Sequence, residues 1–490
     1  MAGSQIFDAT IYFVIGSGFG DEGKGTMTDF LVRTFGASIV VRYNGGAQAG
    51  HNVVLPDGRW HCFSQFGSGT FIDGTVTYLS SEMLIEPRSF LIEEEALRHE
   101  GVVDSFRRTI IDANATIITP FHKMLGQIKE LSRGSGRYGS CGMGVGPAVF
   151  DRELGLAVTL RDVLTNRDLQ LKINFLAEKK FAQAREIMER GSSAEMQEIY
   201  DYFLELYYRE DLAEIYRRFI SQTGISIDMD GRFLRPALDS KQSLVFEGAQ
   251  GALLDRYGGF SPYVTKTRTT FHNAEKVMGA KLVDLAERRR YEIKKIGVMR
   301  AYGHRHGAGP FVTEDNRLRS VLVDPHNPAN PWQQQFRVGW FDLPAIRYGL
   351  LLNEGVDFIA LTNLDQLTDL EVIKVCTTYI YRGDLAVLDK YFEWEPLGKR
   401  KAKIKAFKKW MSEETIEGEL AGILFQCSPG DWLEFDSWSQ DLRNIKKVSD
   451  WPAAARRYID FLESEDGLKT PISLISVSPT CEGKRWRQAT

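Results

Sequence analysis

Residues 11–25 read IYFVIGSGFGDEGKG, and this stretch decides the fold. An apolar run passes into a glycine loop carrying two carboxylates and one lysine, and a helix is expected to follow. A strand, a glycine-rich loop and a helix in that order offer backbone N–H groups and a helix N-terminus to polyphosphate. Gly18, Gly23 and Lys24 fill the first seven positions of G-x-x-x-x-G-K, but Gly25 stands where that motif uses a Ser or Thr hydroxyl to hold magnesium. Asp21, inside the loop, is the nearest group able to take over the metal.

The same letters satisfy G-x-G-x-x-G through Gly18, Gly20 and Gly23. A dinucleotide-binding fold wants an acidic residue at the end of the next strand, ~20 residues on, for a ribose hydroxyl. Here that strand, expected over 38–43, ends in Arg42 and Tyr43. Asp21 and Glu22 would also repel a pyrophosphate at the helix N-terminus unless a cation intervenes. A tight turn with a solvated charge cluster is the plain alternative, and the strand–loop–helix context argues against it.

A chain of 490 residues suffices for one large α/β domain with appendages or for three domains. Its formal charge of -4 offers no basic excess for general nucleic-acid binding, and small anionic ligands remain open. Cys62, Cys141, Cys376, Cys427 and Cys481 are scattered without C-x-x-C spacing, so neither a disulfide framework nor a zinc site is expected. A reducing cytoplasm fits that usage. No stretch approaches the ~18 consecutive apolar residues of a membrane span, and no basic-then-apolar leader opens the chain.

Along the chain, residues 1–160 alternate short apolar runs with glycine-rich loops and read as an α/β core binding nucleotide and phosphate. Residues 161–240 change character: LAEKKFAQAREIMER (176–190) and the run 195–220 have apolar residues at helical spacing and dense opposite charges, as a helical insertion would. Strand-and-loop texture returns over 241–375, the rest of the core. Residues 376–490 read as a small C-terminal α+β region closing the nucleotide site. Within it KRKAKIKAFKK (399–409) is expected to be the solvated face of an amphipathic helix. The fold class is thus α/β, a large, mostly parallel central sheet with a P-loop-like phosphate site and flanking helices.

Three further constellations carry chemistry. The segment 40–54, VVRYNGGAQAGHNVV, puts His51 on a glycine-rich loop beside the phosphate loop, where Gly45, Gly46 and Gly50 permit close approach of a ligand or metal and Gln48 and Asn52 can hydrogen-bond a polar substrate. FEGAQGALLD (246–255) is a strand ending at Gln250, whose amide suits a phosphoryl oxygen or the polar edge of a base; Pro262, Thr265 and Thr267 follow. In FIALTNLDQL (358–367) an apolar strand precedes Thr362-Asn363-Leu364-Asp365. GTP-binding proteins of several folds place N/T-K-x-D there, the carboxylate accepting from guanine and the lysine stem covering the ring; here Asn363 replaces the lysine.

Taken together, GDEGKG, VVRYNGGAQAGHN, GMGVGPA, FEGAQGALLD, PYVT, GAGPF, GWFD and ALTNLDQL resemble the adenylosuccinate synthetase family, in the family's order from Gly20 to Leu367. The resemblance implies a purine-biosynthetic C–N ligase, a homodimer, that joins a purine nucleotide and a small amine, IMP and aspartate in the family, with Mg²⁺ and with GTP as phosphoryl donor, ATP remaining open. Asp21 would take the N1 proton and coordinate Mg²⁺ with the carbonyl of Gly50, while O6 attacks the γ-phosphate. His51 would stabilise the transferring group as an acid, Lys24 would neutralise phosphate charge, and Gln250 would contact the 6-phosphoryl group. Gly20, Glu22, Gly23, Gly25, Gln48 and Thr265 would line the nucleotide sites, with Asn363, Asp365 and Ser478 at the guanine. Such roles are positioning and electrostatic stabilisation, the main sources of rate in phosphoryl transfer.

The departures from the family cluster at substrate recognition. Its aspartate-binding T-T-G-R-x-R is here Trp332-Gln333-Gln334-Gln335-Phe336-Arg337, leaving Arg337, with Arg305 nearby, for a second substrate. Its G-T-T-G-R-G-I-G-P is here residues 139–147, GSCGMGVGP, and the arginine sent across the dimer has no counterpart near Gly155. Activation residues kept beside altered recognition residues suit the same chemistry on another purine, such as a guanine nucleotide, or with another amine. A non-catalytic nucleotide sensor is the alternative of a different class.

Overall fold

The computed structural model describes residues 9–324, 332, 333, 335–411 and 418–487. Gln334 of the second-substrate loop lies outside them. A ten-stranded sheet runs in the order Lys484–Trp486, Ile472–Ser476, Phe358–Thr362, Tyr291–Arg300, Ala9–Gly16, Leu244–Gly251, Ile39–Arg42, Val76–Leu79, Thr109–Asp112, Ser226–Asp228. Every neighbouring pair is parallel except the first, which is antiparallel.

Parallel strands covered by helices on both faces read as continuous apolar runs, and IYFVI does. Ile11, Phe13 and Ile15 pack on one face with Ala274 and Met278 of the helix His272–Arg288; Tyr12 and Val14 pack on the other with Met27 and Leu31 of the helix Lys24–Phe35. The α/β class and the parallel sheet are therefore as expected. Ligands of such sheets bind beyond the carboxyl ends of the strands. Five of the segments singled out above lie at or beyond those ends: the phosphate loop after Gly16, His51 beyond Arg42, Gln250 before Gly251, Asn363 after Thr362 and Ser478 after Ser476.

Three expectations need correction. Residues 399–409 do not form an amphipathic helix: Lys401–Phe407 is a strand in an antiparallel hairpin with Phe392–Gly398, burying Ala402, Ile404 and Phe407. Lysines alternate with apolar residues from 401 to 405, a period of two, so the residues face opposite sides of a sheet. The helical segment does not extend to 240: its long helices end at Thr223, and Ser226–Asp228 pairs with Thr109–Asp112 as the outermost strand of the main sheet. Nor does a separate region begin at 376. Val372–Cys376 pairs with Trp432–Asp436, and Ile472–Ser476 returns to the central sheet, where few residues and one apolar run mark it.

Candidate active site

A cavity of about 1020 Å³ opens over the carboxyl ends of the central strands. Every site residue expected from the sequence lines it except Arg337.

The phosphate loop is held from behind. Gly18 N–H donates to Glu22 Oε1 at 2.5 Å, and a Cβ on Gly16 would stand 1.9 Å from Glu22 Oε2, so glycine there makes room for the carboxyl. Thr362 Oγ1 donates to the Glu22 carbonyl at 2.7 Å, and Arg300 Nε donates to the Asp21 carbonyl at 2.6 Å. Burial pushes the Glu22 carboxyl up to about 8, against the pull of Lys24, whose Nζ is 3.7 Å away. A carboxyl kept protonated does not cancel the lysine's charge, which stays available to phosphate. Gly23 caps the helix with φ 89° and no side-chain bond, leaving its first N–H groups open to an anion. Gly25, the position of the missing hydroxyl, is explained by packing: a Cβ there would come within 2.8 Å of His51 Cβ.

Asp21 itself sits at φ 51°, a left-handed conformation that aspartate adopts more readily than most residues. Burial pushes its carboxyl up, but His306, His304 and Lys24 outweigh burial and hold it at about 2. It is therefore ionised throughout the physiological range and presents a hard oxygen ligand to the cavity.

His51 is aimed by a carboxylate. Its Nδ1 lies 2.5 Å from Glu247 Oε1; Ser68 N–H donates to Glu247 Oε2 at 3.0 Å, the Ser68 hydroxyl donates to Oε1, and Arg42 Nε is 4.0 Å away. Burial pushes His51 down to about 4, against the opposing pull of Glu247. A carboxylate on Nδ1 fixes the ring's orientation and turns Nε2 toward the cavity.

Between these groups the wall holds polar atoms with nothing to bond. Both amide atoms of Gln48, Oδ1 of Asn52 and Oε1 of Gln250 are buried and unpartnered among the described residues. Buried polar atoms are nearly always satisfied, so a row of exceptions in one cavity marks where a polar ligand belongs. Thr265 Oγ1 meets Thr267 Oγ1 at 3.3 Å. At the far end Asn363 occupies a left-handed turn at φ 56°, burial pushes the Asp365 carboxyl up, and Ser478 Oγ is 3.1 Å from Thr480 Oγ1.

The arginines expected to meet a second substrate are committed elsewhere. Arg305 is buried, donating to the carbonyls of Ala308, Pro310 and Tyr263 with its guanidinium over the Phe19 ring. Arg337 pairs with Glu314 and donates to the carbonyls of Gly307 and Gly309. In the 139–147 loop, Glu130 takes the N–H groups of Gly139 and Ser140 at 2.6 and 3.3 Å, and a Cβ on Gly142 would stand 3.0 Å from the Trp332 ring.

Among the described residues no group of three or more His, Cys, Asp or Glu side chains converges on a metal position. Magnesium needs none where it is held by one or two carboxylates plus phosphates and water. Asp21, ionised in the cavity wall with Gly50 in the same lining, fits that requirement.

Glu247, Ser68, Arg300, His304 and His306 were missed in the sequence. Glu247 left a signal, since an acidic residue inside the buried strand Leu244–Gly251 must be paired. His304 and His306 left one too: two residues apart on a strand, they share a face. Ser68 and Arg300 left none.

A family model described as adenylosuccinate synthetase matches residues 13–420. The adenylosuccinate synthetase of Bdellovibrio bacteriovorus is 32% identical over 476 residues, covering 96% of this chain and 97% of that one. That of Brevibacillus brevis is 29% identical over 477 residues, covering 96% of each. Among solved structures, the fully ligated adenylosuccinate synthetase of Plasmodium falciparum superposes with a TM-score of 0.74 at 22% identity, over 98% of this chain and 100% of that one. The cyanophage S-2L succinoaminodeoxyadenylate synthetase, PurZ, bound to dGMP and to dATP as an energy donor, superposes at 0.56 with 13% identity, over 98% and 96%. At such identities the two structural likenesses establish the fold. No described helix is long and apolar enough to cross a membrane.

Proposed function

This chain belongs to the adenylosuccinate synthetase family of C–N bond-forming ligases, and from that premise we propose that it uses GTP and Mg²⁺ to phosphorylate the 6-oxygen of an IMP-like purine nucleotide, which an amine, aspartate in the family, then displaces. One observation carries the reading. The unpartnered amides of Gln48, Asn52 and Gln250 line one cavity with an ionised Asp21 and a carboxylate-aimed His51.

Asp21 accepts the N1 proton of the purine, which places negative charge on O6 as it attacks the γ-phosphate. His51 meets the transferring phosphoryl group through Nε2. It is neutral in the free protein, so it takes up a proton as the polyanion arrives, with Glu247 stabilising the imidazolium. Lys24 and the open N–H groups of its helix balance phosphate charge, and the Gln250 amide holds the phosphoryl oxygens. Bound magnesium, on Asp21 with the Gly50 carbonyl, would supply charge neutralisation between donor and acceptor oxygens. Phosphate leaves from C6 as the amine adds. Asp365 receives the donor base. Dimerisation of the kind the family shows is part of the proposal.

A second reading keeps this chemistry and changes the purine. PurZ was solved with dGMP, and the arginines that would grip aspartate are occupied here. Incubating the protein with Mg²⁺, GTP or ATP, a panel of IMP, GMP and dGMP, and aspartate or other amines separates the two. Phosphate release with a shifted purine absorbance is expected for one purine–amine pair. Triphosphate binding without turnover across the panel overturns both readings and leaves a nucleotide sensor.

A further inference from the structure

The strands Tyr291–Arg300 and Phe358–Thr362 lie side by side and end level, with Arg300 opposite Thr362. From those ends Arg300 Nε donates to the Asp21 carbonyl at 2.6 Å and Thr362 Oγ1 donates to the Glu22 carbonyl at 2.7 Å, so two successive carbonyls of the phosphate loop hang on two neighbouring strand ends. Asp21 needs such support, because a non-glycine residue at φ 51° persists only where its surroundings hold it.

Arg300 spends its other two nitrogens on Tyr302 Oη, at 2.7 Å, and on Asp324. A guanidinium has no acceptor to offer, so the Tyr302 oxygen accepts and its own proton must go elsewhere. It goes to Gln366 Oε1, 2.8 Å away, and the Gln366 amide is turned that way by its Nε2, which donates to the Val323 carbonyl at 3.3 Å. Burial pushes the Tyr302 hydroxyl up, so it keeps that proton. Donor chemistry thus fixes the direction of every bond along the path. Gln366 follows Asp365 in the turn Leu364–Leu367, and both line the cavity together with Arg300 and Asp21, while Tyr302 is buried behind them.

The proposed function seats the donor base on Asp365 and makes Asp21 the base, and this inference rests on that reading. We propose that Tyr302 is a positioning residue for the phosphoryl transfer, joining the donor-base turn to the Asp21 peptide through Gln366 and Arg300. It touches no substrate. A donor base seated at Asp365 steadies Gln366, and the bonds through Tyr302 and Arg300 hold the Asp21 carboxylate where the purine meets the γ-phosphate. Displacing a reacting group by about 1 Å costs up to about a hundredfold in rate, so the effect belongs in kcat.

The test is steady-state kinetics on wild type, Tyr302→Phe, Gln366→Met and the double variant, with the donor, purine and amine that wild type turns over. Each single change should lower kcat about tenfold and leave the KM for donor and for purine nucleotide within about threefold of wild type. The double variant should fall within about twofold of the slower single one, because one break already severs the path. A merely structural role gives no such pattern, since lost stability at two separate sites adds. A kcat for Tyr302→Phe within about twofold of wild type overturns the inference, as do effects that multiply in the double variant, or a raised KM with kcat intact. Gln366 is half-buried at the cavity edge, so its variant decides the matter if Tyr302→Phe does not fold: an unchanged kcat there overturns the inference equally. Wild-type turnover with unchanged variants refutes this inference alone. Wild type that turns over no purine–amine pair refutes the proposed function, and the inference with it.

Discussion

The loop from Gly16 to Gly25 and the strand pair Gly303–His306 with Phe336–Gly339 meet across Asp21, built on opposite plans. In the loop, bonds from behind leave the working groups free: Glu22 and Thr362 tie the backbone, while Lys24, the Asp21 carboxylate and the helix N-terminus face the cavity. In the strand pair the charged groups are consumed by the protein. Arg305 bonds three carbonyls and Arg337 bonds Glu314, so the unpartnered group that faces the cavity is an imidazole nitrogen. An arginine in a substrate loop is not thereby a substrate ligand. What counts is whether its donors are already spent, and five donors in a rigid fork are easily spent on backbone carbonyls.

The largest expected effect breaks the loop side of that comparison. Asp21→Asn keeps the shape and removes the base and its charge, so turnover measured by phosphate release should fall about a thousandfold. Purine nucleotide affinity should change far less. Full turnover in this variant would remove the loop from the chemistry altogether.

A smaller effect, about a hundredfold in turnover, is expected for Glu247→Gln, which leaves His51 in place without the carboxylate that aims it. The same pair has a signature in stability. His51 is pushed down to about 4 in the folded chain, below the ordinary histidine value of ~6.5. Between those values the unfolded chain binds a proton that the folded chain refuses. Stability from this group is therefore complete above the upper value and is lost as pH falls through the window. Melting curves from pH 7 to pH 4 should show a shallower loss for His51→Gln than for wild type. An identical slope would mean that His51 is not held neutral.

At the donor end, Asp365→Ala should raise the KM for GTP about tenfold while leaving that for ATP nearly unchanged, as a carboxylate accepting from guanine requires. Equal effects on both donors would take Asp365 out of base recognition.

The loop side was legible in the sequence because it is local: one run of fifteen residues holds the strand, the turn and the helix start, and glycine at 16, 23 and 25 records where a carboxyl, a left-handed turn and His51 needed space. The strand pair was not. Its meaning depends on contacts between residues far apart in the chain, such as Arg300 with Asp21 and His304 with Gly20. Glu247 lay between the two cases, visible as a charge in a buried strand while its partner His51, 196 residues away, was not. In the lysine run 399–409 the charge density resembles a solvated helix face, while its period of two specifies the strand Lys401–Phe407.

The smallest expected kinetic effect bears on the strand side. If Arg337 held a substrate carboxylate, Arg337→Ala would remove a charge-assisted bond and raise the KM for the amine about tenfold or more. The structure spends its guanidinium on Glu314 and on two loop carbonyls, with the pair about one-fifth to one-quarter exposed. Removing it should therefore act on the fold. Glu314 is left with Arg319, 3.6 Å from its other oxygen, and the carbonyls of Gly307 and Gly309 lose a donor, so the melting temperature should drop by about 1–3 °C, for a loss of about 1–3 kcal/mol after solvent screening of a partly exposed pair. The amine KM should stay within about threefold of wild type. Arg337→Lys should recover part of the stability, because a single ammonium can face Glu314 without reproducing the fork. A variant with wild-type melting and a tenfold weaker amine would reverse the assignment and return Arg337 to the substrate.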